Sequence, residues 1–200
     1  MQRKQAELLT LASVAASPEA VTTEFSLRTG EAVVFRPLAT DDEVGLATFL
    51  ESLSPQTRRF CTYSATAREM CEAINRYDKL RMVAVVDHQV IALFEFSLCI
   101  TESDITRYSG YGIELDERTD VRFGPCIVDV YQNQGLGSEL LPLVIDIARR
   151  FGKERMILWG GVFADNHRAI RYYEKNGFRI VGEYRDDANE ASYDAIMVLP

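Results

Sequence analysis

Between Ile127 and Phe178 the chain runs from an apolar strand through Gln132-Asn133-Gln134-Gly135-Leu136-Gly137 into an amphipathic helix, then a second strand, then the segment Asn166 to Tyr173. Paired glycines at a strand-to-helix junction let the backbone approach an anion closely. The first N–H groups of the helix, predicted to begin near Ser138, point at that anion with the positive end of the helix dipole behind them. The pattern therefore predicts a pyrophosphate-bearing ligand on the backbone from Gln134 to Ser138. Two nucleotide patterns are excluded. The dinucleotide fingerprint needs a third glycine where Leu140 stands, and the triphosphate loop needs Gly-Lys-Ser/Thr where the chain reads Gly137-Ser138-Glu139.

Two hundred residues, 47% hydrophobic and 26% charged, suffice to bury a sizeable core without covalent staples. One folded unit is expected over residues 22–200, with 1–21 as a tail or surface helix. Acids outnumber Lys and Arg 30 to 22, and the net charge of -8 argues against a nucleic-acid partner while permitting a cationic substrate. Cys61, Cys71, Cys99 and Cys126 show no C-x-x-C spacing, and with only His88 and His167 there is no metal-ligand set. Reduced, mostly buried thiols in a cytoplasmic protein are the expectation. Arg3 and Lys4 precede an apolar run from Leu8 to Ala16 that Thr10 and Ser13 interrupt, so it does not read as a secretory signal, and no segment approaches the ~18 apolar residues of a membrane span.

Along the chain, Thr22–Arg28 and Glu31–Arg36 flank Thr29-Gly30 as a hairpin, Asp41-Asp42 caps a helix carrying Val44, Leu46, Ala47 and Leu50, and Ser54-Pro55 opens a short helix. Thr66 to Tyr77 reads as another helix. Arg81–Val86 and Val90–Ile100 read as strands joined at Asp87-His88-Gln89. From Thr101 to Asp120 periodicity fails, and this acidic segment is expected to be a substrate loop. Phe123–Val130 and Met156–Val162 read as strands, Ser138–Phe151 as a helix bent at Pro142, and Ala169–Asn176 as a helix stopped by Gly177. Arg179–Tyr184 and Tyr193–Leu199 complete the sheet.

Gln132-x-x-Gly135-x-Gly137, followed by Asn166-x-x-Ala169-Ile170-x-x-Tyr173-Glu174-Lys175-x-Gly177-Phe178, resembles the coenzyme A loop and the helix after it in the GNAT acetyltransferase superfamily. The resemblance extends loosely from about Val33 to the C-terminus. It implies an α+β fold: a mixed, largely antiparallel central sheet with helices on both faces, whose fourth and fifth strands splay apart to admit the pantetheine arm. Those strands would be Phe123–Val130 and Met156–Val162. The implied activity moves an acetyl group from acetyl-CoA to a primary amine, either a small molecule or a protein lysine. A non-catalytic acyl-CoA-binding or regulatory module is the alternative. Acetyl-CoA and the amine are the expected partners, with a homodimer as an option and neither nucleic acid nor membrane. Phe35-Arg36-Pro37-Leu38 through Phe60 is similar to the opening of bacterial protein-lysine acetyltransferases and of small-molecule enzymes alike.

The coenzyme-binding residues expected from this resemblance are Ile127, Val128, Gln132, Asn133, Gln134, Gly135, Leu136, Gly137, Ser138, Asn166 and Tyr173. An ammonium with a pKa near ~10.4 is neutral in only about one molecule in 2,500 at pH 7, so transfer needs a proton acceptor. Several relatives carry a glutamate early in the fourth strand; here Arg122 stands close to that place. Glu95, an acid inside Leu93-Phe94-Glu95-Phe96, is the substitute base, ahead of Asp120, Glu114 and Asp129; an ion pair or an outward-facing strand position explains it equally well, and a water relay is an option. The Val128 N–H is the expected oxyanion donor, and Tyr173, at the family's tyrosine position, the expected proton donor to the thiolate. Asn166 and Tyr173 share a helix face, with Asn166 also able to cap it, whereas Tyr172 is expected to face elsewhere. The acids from Glu102 to Asp120 would steer a cationic amine.

Overall fold

A computed structural model of the chain describes residues 8–61, 63, 65–72, 78–186 and 188–200. β1 (Thr23–Ser26) and β2 (Ala32–Pro37) form the expected hairpin, with Gly30 left-handed at its turn. β3 (Lys79–Val86) and β4 (Gln89–Ser97) follow, joined at Asp87 and His88, both at positive φ, as a tight two-residue hairpin demands. β5 (Asp120–Ile127), β6 (Arg155–Leu158), β7 (Val162–Phe163), β8 (Arg179–Arg185) and β9 (Ala191–Val198) complete one sheet in the order β1-β2-β3-β4-β5-β6-β9-β7, with β8 on β9. Only β5 and β6 run parallel; every other pairing is antiparallel. The N-terminal strand makes β5 and β6 the counterparts of the family's fourth and fifth.

Helix α6 (Leu136–Arg150) lies on one face and buries Leu136, Leu140, Leu141, Val144 and Ile147 against Met82, Phe94, Phe96, Phe123 and Met156. Each such buried side chain contributes about 1.5–3 kcal/mol. The helix runs unbroken through Pro142. On the opposite face α2 (Glu43–Ser52) and α4 (Ala67–Glu72) cover Val83, Leu93 and Cys126 with Leu46, Phe49 and Met70, and α3 (Pro55–Phe60) follows α2. The predicted helix over Thr66 to Tyr77 is α4; residues 73–77 lie outside those described.

Three expectations change. Of the tail or surface helix expected before residue 22, the described residues form a helix that is also anchored in the core: α1 (Leu11–Ala16) carries a Thr10 capping box, Val14 and Val21 enter the main core, and the Leu9 N–H donates to the Arg150 carbonyl. The supposed substrate loop contains α5 (Glu102–Gly110), begun by a Thr101–Asp104 capping box, with Tyr108 fully buried and its hydroxyl donating to the Ala195 carbonyl at 3.0 Å. Its polar side chains are buried in pairs, which hydropathy cannot register: Arg107 bridges Asp104 and Asp194 at 2.7 and 2.9 Å. Finally, Met156–Val162 is not one continuous strand. β6 and β7 pair with successive stretches of β9 and are interrupted at Trp159-Gly160-Gly161, where both glycines are left-handed.

Candidate active site

β5 and β6 pair only from Asp120 opposite Arg155 to Phe123 opposite Leu158, and the Trp159 N–H still reaches the Phe123 carbonyl at 2.8 Å. Beyond that point β6 breaks away while β5 continues to Ile127, and a cavity of about 610 Å³ opens between them. Along a strand successive N–H groups point to opposite edges. The Val128 N–H is taken up by the Ile91 carbonyl of β4 at 3.0 Å, so it does not serve the cleft as an oxyanion donor. By alternation the Ile127 N–H turns to the open edge, and Pro125 has none to offer.

The floor of the cleft is the glycine turn. Asn133 (φ +61°) and Gly135 (φ +91°) are left-handed, and α6 begins at Leu136, two residues earlier than expected, because Gly135 turns the chain straight into it. Ser138 and Glu139 donate their N–H groups to the Gly135 carbonyl, whereas no described residue accepts the N–H groups of Gln134, Gly135, Leu136 or Gly137. Four unclaimed donors in succession at a helix start fit a pyrophosphate. The run of unclaimed N–H groups thus ends at Gly137, one residue short of Ser138. Gln132 braces the turn, its Nε2 donating to the Ile127 carbonyl at 2.7 Å and to Thr57 Oγ1 at 3.2 Å; Gln134 Nε2 likewise donates to the Val130 carbonyl. Tyr172 does not face elsewhere. Its hydroxyl donates to the Gly137 carbonyl at 2.8 Å, and a β-carbon on Gly137 would lie 3.2 Å from its ring.

Helix α7 (His167–Lys175) forms the opposite wall. Asn166 caps it through Oδ1, which accepts from the Ala169 N–H at 3.2 Å, and Asn166 also lines the cleft. Gly177, left-handed, ends it in a Schellman arrangement, with the Phe178 N–H on the Tyr173 carbonyl at 3.0 Å. The Tyr173 ring packs edge-on to Phe178 at 5.2 Å, and burial pushes its phenol well above the usual range, so it is protonated at neutral pH. Of the residues expected at the coenzyme, Ile127, Gln132, Asn133, Gly135, Leu136, Gly137, Ser138, Asn166 and Tyr173 line this one cavity; Val128 and Gln134 stand off its lining.

Glu95 sits in a second cavity of about 210 Å³ that shares Phe60, Cys61, Pro125 and Trp159 with the first. It is buried, and its Oε1 accepts from Arg81 Nε at 2.7 Å. The acid faces a cleft and is also paired. Its competitors are engaged elsewhere: Asp120 is held by Arg155 at 2.6 Å, Asp129 accepts from the Ser54 N–H, Ser54 Oγ and Thr57 Oγ1 at 2.7–2.9 Å, and Glu114 accepts from Ser109 Oγ. Arg122 lies 3.0 Å from Asp104 and over the Trp159 ring at 4.6 Å.

A family model described as the acetyltransferase (GNAT) family matches residues 124–178, from the splay of β5 to the end of α7. The acetyltransferase PA5475 of Pseudomonas aeruginosa is 30% identical over 135 residues, 66% of this chain and 67% of its own length. The chain belongs to the GNAT family of acetyltransferases. Solved members share the fold. The GNAT domain of S. lividans PAT is 19% identical with a TM-score of 0.68, covering 91% of this chain and 99% of that domain. Aminoglycoside acetyltransferase AAC(6')-Ib in complex with coenzyme A is 17% identical with a TM-score of 0.63, covering 83% and 94%.

For a GNAT acetyltransferase, several lining residues carry no local signal in sequence. Trp159 follows a strand like any core tryptophan, yet the splay exposes it to both cavities. Arg168 and Lys175 read as solvated helix charges, and only α7's placement sets them at the cleft. Tyr172 could have been found from the small partner it requires, Gly137.

Proposed function

We propose that this acetyltransferase carries an acetyl group from acetyl-CoA to a primary amine by direct attack in a ternary complex. The observation that carries this reading is the junction of the two cavities: the glycine turn and Tyr173 line one, Glu95 lines the other, and Cys61, Pro125 and Trp159 belong to both. One cavity suits the donor and the other the acceptor. The unclaimed N–H groups from Gln134 to Gly137 bind the pyrophosphate, and Arg168 and Lys175 on α7 add positive charge nearby.

Glu95 receives the acceptor's ammonium and passes one proton toward solvent, leaving a neutral nitrogen. As that nitrogen bonds to the thioester carbon, the Ile127 N–H donates to the developing oxyanion. The carbon–sulfur bond breaks, Tyr173 gives its proton to the thiolate, and the second proton from nitrogen restores the phenol. One proton is released to solvent for each acetyl group moved from the thioester to an acceptor that arrives as an ammonium. Incubation with acetyl-CoA and a panel of small amines and lysine peptides, followed by release of free thiol, tests the reading; saturable coenzyme binding without thiol release on any amine would overturn it.

A further inference from the structure

The acceptor cavity is floored by one face of the sheet. Arg81, Glu95 and Gly124 stand opposite one another across β3, β4 and β5, and Lys79, Ser97 and Arg122 form the next row on the same face. Gly124 leaves room beside Glu95: a β-carbon there would meet Trp159 at 3.6 Å. Two cations flank that indole, with Lys79 Nζ and the Arg122 guanidinium each 4.6 Å from its ring centroid. Arg81 is matched by Glu95 and Arg122 by Asp104, but Lys79 makes no ion pair with a described residue. Burial lowers its pKa; Glu95 raises it, and Arg81 and Arg122 lower it again. The lining thus carries Lys79 and Arg81 against a single carboxylate.

Of the acids from Glu102 to Asp120 expected to steer a cationic amine, three are held by arginines instead: Asp104 by Arg107, Asp116 by Arg118 and Asp120 by Arg155. A polyamine would bring several cations to a cavity that already has an excess. Lys79 and Arg81 are two residues apart on one face, about 6.8 Å along the strand, a separation that small molecules span.

We infer that the acceptor is a small amine bearing an anionic group, with Lys79 receiving the anion beside Trp159 and Glu95 receiving the ammonium. This deepens the acetyl-transfer reading and rests on it. The test compares kcat/KM with acetyl-CoA for matched acceptors: an amino acid, its neutral amide, an amine phosphomonoester, a polyamine and a lysine peptide. At least one anionic amine is expected to exceed the neutral amide at least tenfold, and the carboxylate and phosphate arms identify the anion. In Lys79→Gln that preference should fall to within threefold of unity, mainly through KM, while Lys79→Arg restores it; retained coenzyme A binding shows that each variant is folded. A preference for the amide, polyamine or peptide, or a preference untouched in Lys79→Gln, overturns the inference. Should no amine be turned over, calorimetry on the coenzyme A-saturated protein separates the two ideas. Lys79-dependent binding of an anionic amine upholds the acceptor assignment without transfer, and absence of such binding overturns it.

Discussion

Tyr173 combines a half-buried, protonated phenol with a place on the cleft lined by the glycine turn, so its substitution discriminates chemistry from packing. Tyr173→Phe keeps the ring on Phe178 and removes the proton. A kcat reduced ten- to a thousandfold, with coenzyme affinity within about threefold, is expected by steady-state kinetics. Glu95→Gln should reduce kcat/KM about a hundredfold with coenzyme affinity retained, by steady-state kinetics and calorimetry; an unreduced kcat/KM assigns the proton to water. At Gly135 the backbone, not crowding, is decisive: a β-carbon meets nothing within 4 Å, but φ is +91°. Gly135→Val should weaken coenzyme A at least tenfold, about 1.4 kcal/mol, by calorimetry. That Gly135, Asn166 and Tyr173 share one cleft was legible because glycine spacing and a tyrosine seven positions after an asparagine are local signals. The donor role of Val128 was misread because strand alternation depends on what β4 takes, and no spacing in β5 reveals that the Ile91 carbonyl claims it.

At the scale of elements, α3 is fastened to the coenzyme turn by Asp129, whose carboxylate accepts from Ser54 and Thr57, while Gln132 reaches Thr57 from the other side. Burial raises the pKa of Asp129, but the hydrogen bonds from Ser54 and Thr57 together outweigh it and hold the carboxyl below its ordinary value. The sign follows: a depressed folded pKa contributes stability above the unfolded value near ~3.9 and loses it as pH falls through the lower folded value. Asp129→Asn should therefore cost about 1–3 kcal/mol in urea unfolding at pH 7, with the gap from wild type closing below about pH 3.9. The strands and α6 were legible from period and turns. α5 was not, because Asp104 and Arg107 occupy buried positions as a pair, and a pattern scored on apolar residues treats them as solvent-facing.

Across the whole molecule, α5 is pinned to the C-terminal strand through Asp194, a fully buried carboxylate held by Arg107 and by the Tyr111 hydroxyl, whose ring lies against Gly182 of β8. Removing one partner of a buried pair strands the other charge, so Asp194→Ala should cost about 3–5 kcal/mol in urea unfolding. The mixed, largely antiparallel character of the sheet and the splay followed from the family resemblance; the division of β6 from β7 did not, since Met156 to Val162 is nearly continuously apolar and the pairing with β9 shows that Gly160-Gly161 interrupts the strand rather than ending it.

The splay leaves a strand edge bare inside the protein, and a bare edge is a template on which any extended chain could pair. Pro125 withholds one donor there, the Phe123 carbonyl is already taken by Trp159, and the Ile127 carbonyl by Gln132. What the edge still offers is little more than the Pro125 carbonyl, with Cys61 Sγ 3.9 Å away, and the Ile127 N–H. Such an edge can grip a short arm with an amide or two but cannot zip along a peptide, so β5 guards the interior against strand invasion while remaining open to its own ligand.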